Sequence, residues 1–90
     1  MHTERGTYVT IDMNAIAHNI STVRSIIGPG GKILLPVKAD AYGHGAVAVS
    51  RFVQEAGIVQ YLGVASIEEG VELRENGIGL PILILGFIIP

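Results

Sequence analysis

Short runs of β-favouring residues alternate with stretches of helical period along this chain. That alternation limits the folds open to it more than any other feature. Thr7 to Ile11 reads as a strand, because Tyr8, Val9, Thr10 and Ile11 are β-favouring types. Asp12 or Asn14 then offers a side-chain oxygen to cap a helix that runs to about Ile27. Along it Ile16, Ile20, Val23 and Ile27 recur at helical spacing and form one narrow apolar face, with His18 opposite. Gly28-Pro29-Gly30-Gly31 ends the helix in a turn. Lys32 to Lys38 reads as the second strand. A second helix follows from about Ala46 to Ala56, with Val49, Phe52, Val53 and Ala56 on one face and Gly57 just past its end. Tyr61 to Ala65 is the third strand. Ser66 and Glu69 have the spacing of a capping box, in which serine caps the third amide and glutamate reaches back to the serine. That helix reaches about Asn76, Gly77 terminates it, and Ile82 to Leu85 is the fourth strand.

Strands that alternate with helices suit parallel pairing, because each helix carries the chain back across the sheet. The second strand is apolar on both faces, as expected where a parallel sheet is covered on both sides. Pro36 has no backbone donor and favours an edge or a bulge. Strand starts near Ile33, Leu62 and Ile82 are 29 and 20 residues apart. A barrel of about 250 residues in eight βα units averages about 31 residues per unit. The expectation is an α/β chain forming the N-terminal portion of a (β/α)8 TIM-type barrel, incomplete as given. Residues 7–12 would form a leading strand, and residues 32–86 the first three barrel strands with their helices. Such a slice leaves two raw sheet edges, which proteins avoid. The 90 residues are therefore expected to be an N-terminal fragment of a larger protein.

Composition removes several function classes. Hydrophobic residues make up 49% of the chain and charged residues 16%, against about 25% charged in average soluble domains. That excludes intrinsic disorder and suits a piece whose surface is covered by something else. The formal net charge is −2 and no basic run exists, so the electrostatic footprint of a nucleic-acid binder is missing. The longest apolar stretch, Leu80 to Pro90, is 11 residues and holds Gly86 and two prolines, where a membrane span needs about 20 residues. Met1 to Gly6 is polar and has no secretory apolar core. With no cysteine there is no disulfide framework, no thiolate metal site and no cysteine nucleophile. These features fit a cytoplasmic protein with no nucleic-acid or membrane partner. His2 and His18 have no partners at metal-ligand spacing, so no metal site is expected.

Lys38 is the residue with chemistry. It ends an apolar strand, the place where parallel α/β sheets put functional groups. Alternation puts it on one face with Leu34 and Pro36, which in a barrel is the interior. Desolvation there favours the neutral amine, which can attack a carbonyl. The plain alternative is a strand-end lysine that snorkels its charge into water.

The run Val37-Lys38-Ala39-Asp40-Ala41-Tyr42-Gly43-His44-Gly45 resembles the pyridoxal-phosphate attachment motif of the alanine racemase family at all nine positions. A contiguous match of this length is far more specific than a short glycine motif. Similar residues also stand at Thr7 to Asp12, Ala15-Ile16, His18-Asn19, Glu55-Ala56-Gly57, Leu73-Arg74-Glu75, Gly77-Ile78 and Pro81 to Gly86. The likeness covers nearly the whole chain and about a quarter of the family's usual length.

The resemblance implies an eight-stranded α/β barrel followed by a mostly β C-terminal domain, in a homodimer. It implies racemisation of L-alanine and D-alanine with pyridoxal 5'-phosphate, supplying D-alanine for peptidoglycan. A serine-preferring racemase of the same family, or a catalytically inert truncated fragment, is the alternative. Lys38 would hold the cofactor covalently and then act as the base on the D-alanine face. The opposing base in the family is a tyrosine of the partner subunit's C-terminal domain, to which no residue of this chain corresponds. Tyr42 matches a tyrosine whose hydroxyl contacts the cofactor phosphate; otherwise it is an aromatic packed over the strand end. Leu85 matches an apolar residue lining the cofactor ring; otherwise it is core packing. Asp40 and His44 carry no catalytic role and are expected to order the loop by hydrogen bonding. Gly43 and Gly45 are expected to shape the turn. The isolated 90 residues are expected to be inactive.

Overall fold

The computed structural model describes the backbone of residues 2–37 and 45–86 and the side chains of residues 13–37 and 45–86. Six elements follow in order: α1 (His2–Ile27), β1 (Leu34–Pro36), α2 (Ala46–Ala56), β2 (Tyr61–Val64), α3 (Ile67–Glu75) and β3 (Ile82–Ile84). The three strands form one parallel sheet in the order β1-β2-β3. Leu34, Leu35 and Pro36 stand beside Tyr61, Leu62 and Gly63, and Leu62, Gly63 and Val64 beside Ile82, Leu83 and Ile84.

Spatial order here equals chain order, so each crossover steps the same way across the sheet. With the usual right-handed crossovers this puts every connecting helix on one face. The core bears this out. Val37, Leu62 and Val64 project from one face of the sheet and are buried with Val49 and Val53 of α2 and Leu73 of α3. A sheet wound in one direction, with helices on one side only, is the wall of a barrel. A doubly wound fold would reverse direction and place helices on both faces.

The leading strand expected at residues 7–12 is corrected by the structure, which carries those residues within α1. A strand leaves its N–H and C=O groups unpaired unless a neighbour accepts them, whereas a helix pairs its own. Among the described residues the sheet holds three strands and none pairs with residues 7–12. The β-favouring side chains of Tyr8 to Ile11 are a weaker influence than backbone pairing. Only part of the α1 stripe is used. Ile16 and Ile20 are buried against the core, while Val23 and Ile27 are each 43% exposed. His18 is exposed, as expected.

Local signals worked well elsewhere. The α2 helix has the expected bounds and ends on Gly57 at φ 67°, a left-handed conformation that glycine adopts without strain. The α3 helix opens with the expected capping box: the Ser66 hydroxyl accepts the Glu69 N–H at 3.2 Å, and Glu69 Oε1 accepts the Ser66 N–H at 3.2 Å. Among the described residues Pro36 lies on an edge strand. The Tyr61 N–H donates to the Ile33 carbonyl and the Val37 N–H to the Gly63 carbonyl. By alternation the position of Pro36 turns its nitrogen away from β2, so the proline costs no ladder bond to that strand.

Two glutamines fasten the amino ends of the strands. Gln60 Oε1 accepts the Ile33 N–H at 2.7 Å and the Arg24 guanidinium at 3.0 Å, and Arg24 also donates to the carbonyls of Gly28 and Gly31. Gln54 Oε1 accepts the N–H groups of Gly79 at 2.6 Å and Leu80 at 3.1 Å. Arg74 donates to the carbonyls of Ile78 and Leu80. This end is tied down for stability, which leaves the carboxyl ends of the strands for chemistry.

Candidate active site at the carboxyl ends of the strands

Each strand reaches its carboxyl end through a backbone anchor. The buried Val37 donates its N–H to the Gly63 carbonyl at 2.8 Å. Leu85 donates its N–H to the Val64 carbonyl at 2.5 Å. The parallel ladder thus extends one residue past β1 and one past β3. Lys38 follows Val37 directly. Lys38 and Tyr42 lie outside the described residues, as do Asp40, Gly43 and His44.

The described end of the motif is Gly45, at φ 82° and ψ 150°. This backbone region is essentially closed to residues with a side chain. It is the entry to α2, and among the described residues no side chain caps it. The next helix differs. Glu69 Oε1 accepts the Ala65 N–H at 2.7 Å as well as that of Ser66. The turn after β2 therefore satisfies the amides of Ala65, Ser66 and Glu69 from within.

The helix-free face of the sheet carries Leu34 and Pro36 from β1, Tyr61 and Gly63 from β2, and Leu83 followed by Leu85 from β3. This face is apolar, and none of those six residues carries a charge. It is partly open: Leu83 is 41% and Leu85 43% exposed. The expected covering of β1 on both sides is met by helices on one side only. In a barrel the other side is filled by side chains of the remaining strands.

Leu85 reaches across this face to β2. A Cβ added to Gly63 would meet Leu85 Cδ1 at 2.5 Å and Leu34 Cδ2 at 3.0 Å. Leu34 and Leu85 thus close over a glycine that is buried although no helix covers it. Sequence reasoning passed over Gly63. The signal was present, since a glycine inside an apolar strand marks a close approach by another group. No cluster of metal-ligating side chains exists among the described residues, and no helix there is long and apolar enough to cross a membrane.

A one-way parallel sheet with helices on one face, and a lysine motif continuing from the first strand, defines the class: the N-terminal portion of a TIM-type barrel. Residues 11–90 match the family described as alanine racemase, N-terminal domain. The chain is 48% identical over 86 residues to alanine racemase 1 of Caldanaerobacter subterraneus subsp. tengcongensis, covering 96% of this chain and 22% of that protein. It is 53% identical over 76 residues to the alanine racemase of Cutibacterium acnes, covering 84% of this chain and 20% of that one. Alanine racemase of Clostridium difficile 630, solved in complex with cycloserine, superimposes with a TM-score of 0.72 at 42% identity over 89% of this chain and 20% of that one. The Oenococcus oeni enzyme gives 0.69 at 38% identity, over 82% of this chain and 20% of that one. The chain belongs to the alanine racemase family. It spans about a fifth of the length of the relatives it matches.

Proposed function

We propose that the protein is a pyridoxal-phosphate-dependent racemase that interconverts L-alanine and D-alanine. The observation that carries this reading is the nine-residue run around Lys38, which continues directly from the carboxyl end of β1 in a chain of this family. Alanine is favoured over serine because the relatives named above are alanine racemases. The described residues fit a flat aromatic cofactor. Leu34, Pro36, Leu83 and Leu85 offer it an uncharged, partly open apolar surface at the strand ends.

Bound pyridoxal phosphate supplies an electron sink that makes the Cα–H bond of an amino acid acidic enough to break. The protein's residues do the rest. Lys38 would hold the cofactor covalently. Its neutral amine would remove the Cα proton of D-alanine, and its ammonium form would deliver a proton to that face when D-alanine is made, tasks that need the group within hydrogen-bond reach. The Tyr42 hydroxyl would donate to the phosphate. Leu85 would lie against the ring and exclude water from that side. The opposing base comes from outside these 90 residues, so the segment alone would not turn over alanine. The family resemblance further supports a cytoplasmic homodimer whose D-alanine feeds peptidoglycan.

The test uses the full-length protein with the cofactor supplied. It should racemise L-alanine in preference to L-serine, and Lys38→Ala should abolish turnover. Equal turnover by the Lys38→Ala protein would refute the assignment, and a preference for serine would replace the substrate.

A further inference from the structure

The central strand of the sheet holds a glycine whose backbone does not call for one. Gly63 has no positive φ, in contrast to Gly28, Gly45, Gly57 and Gly77. It sits mid-strand, where glycine weakens the element for lack of a side chain to pack. What it provides is room. An added Cβ would stand 2.5 Å from Leu85 Cδ1, 3.1 Å from Leu85 Cγ and 3.0 Å from Leu34 Cδ2. All three atoms belong to side chains, so the crowding falls on groups that can rotate rather than on backbone.

The two leucines are not equally free to yield. Leu34 lies within β1, in register with Tyr61. Leu85 lies just past β3, with its backbone held by the bond to Val64 and the residue 43% exposed. Relief comes most easily from turning Leu85 off the strand and up from the face. Given the function proposed above, that is the space the cofactor ring would take.

We propose that Gly63 is a positioning residue for the cofactor: by carrying no side chain it lets Leu85 lie flat on β2, and this sets the height of the apolar surface beneath the ring. The inference rests on the racemase reading and on Leu85 facing the ring. Gly63 itself touches neither substrate nor cofactor.

The experiment is a cycle of Gly63→Ala, Leu85→Ala and the double variant in the full-length protein. Pyridoxal-phosphate affinity is titrated by fluorescence, and the absorption maximum of the bound cofactor is recorded. Gly63→Ala should fold, weaken cofactor binding about ten-fold, the size of effect that a misplaced methyl group has in an apolar pocket, and move the absorption maximum. In the Leu85→Ala background the same substitution should change neither quantity, because the side chain it displaces is gone. A Gly63→Ala protein with unchanged affinity and spectrum would overturn the inference. So would an equal loss in the Leu85→Ala background. A Gly63→Ala protein that fails to fold would contradict the claim that Leu85 is the part that yields. If the unsubstituted protein takes up no pyridoxal phosphate, the racemase reading falls as well. If it binds normally and only the cycle fails, the reading stands and this inference alone is lost.

Discussion

The Arg24 guanidinium donates to Gln60 Oε1 at 3.0 Å and so joins the end of α1 to the start of β2. The same oxygen accepts the Ile33 N–H, which ties β1 into the pair. Replacing Gln60 by Leu would leave both donors without this acceptor. The expected loss is about 1–3 kcal/mol, the usual penalty for stranding partly buried polar groups. Urea unfolding should show a lower midpoint with an unchanged slope. Cofactor affinity should be unaffected, because Gln60 stands at the amino ends of the strands, away from the candidate site.

Ser50 predicts a change in the opposite direction. Its side chain is fully buried in α2, and its hydroxyl has no hydrogen-bond partner among the described residues. A buried hydroxyl without a partner costs about 1–3 kcal/mol by mutational measures. Ser50→Ala removes it at almost unchanged volume and also raises helix propensity. The variant should melt at a higher temperature in calorimetry. A lower melting temperature would mean that the hydroxyl has a partner after all.

Gly70 predicts a second gain. It lies inside α3 in an ordinary helical conformation, and an added Cβ would stand 3.6 Å from Ile84 Cδ1 and 3.7 Å from Val64 Cγ2. Those are normal contact distances, so alanine fills space without displacing anything. Alanine is favoured over glycine by about 1 kcal/mol in a helix interior. Gly70→Ala should raise the unfolding midpoint by a corresponding amount.

Ser66 predicts a loss. Its hydroxyl caps the amino end of α3, and Glu69 answers it with two bonds of its own. Ser66→Ala should cost about 1 kcal/mol, the typical value of an N-cap. Denaturant unfolding of Ser66→Ala beside Ser66→Asp checks it, since aspartate restores the acceptor.

Legibility in the sequence followed the range of each interaction. The bounds of α2 and the capping box of α3 are set by near neighbours, and both were readable: Gly57 stops one helix, and Ser66 with Glu69 starts the other. The later three strands were placed correctly, with bounds one or two residues wider than β1, β2 and β3, because residue type alone does not mark where regular pairing ends. The β-favouring run from Tyr8 to Ile11 misled, since strand formation depends on a partner that local composition does not reveal. At the candidate site, Lys38 and Tyr42 were legible only as part of a contiguous motif. The contact between Gly63 and Leu85 joins residues on neighbouring strands, and it becomes visible only once the register is known.

The most direct test of the account is to find where the cofactor attaches. The full-length protein is loaded with pyridoxal phosphate, reduced with borohydride, digested and mapped by mass spectrometry. The account predicts one dominant modified peptide, with the pyridoxyl group on Lys38, and its loss in the Lys38→Ala protein. Modification centred on Lys32 or another lysine, with Lys38 unlabelled, would contradict it.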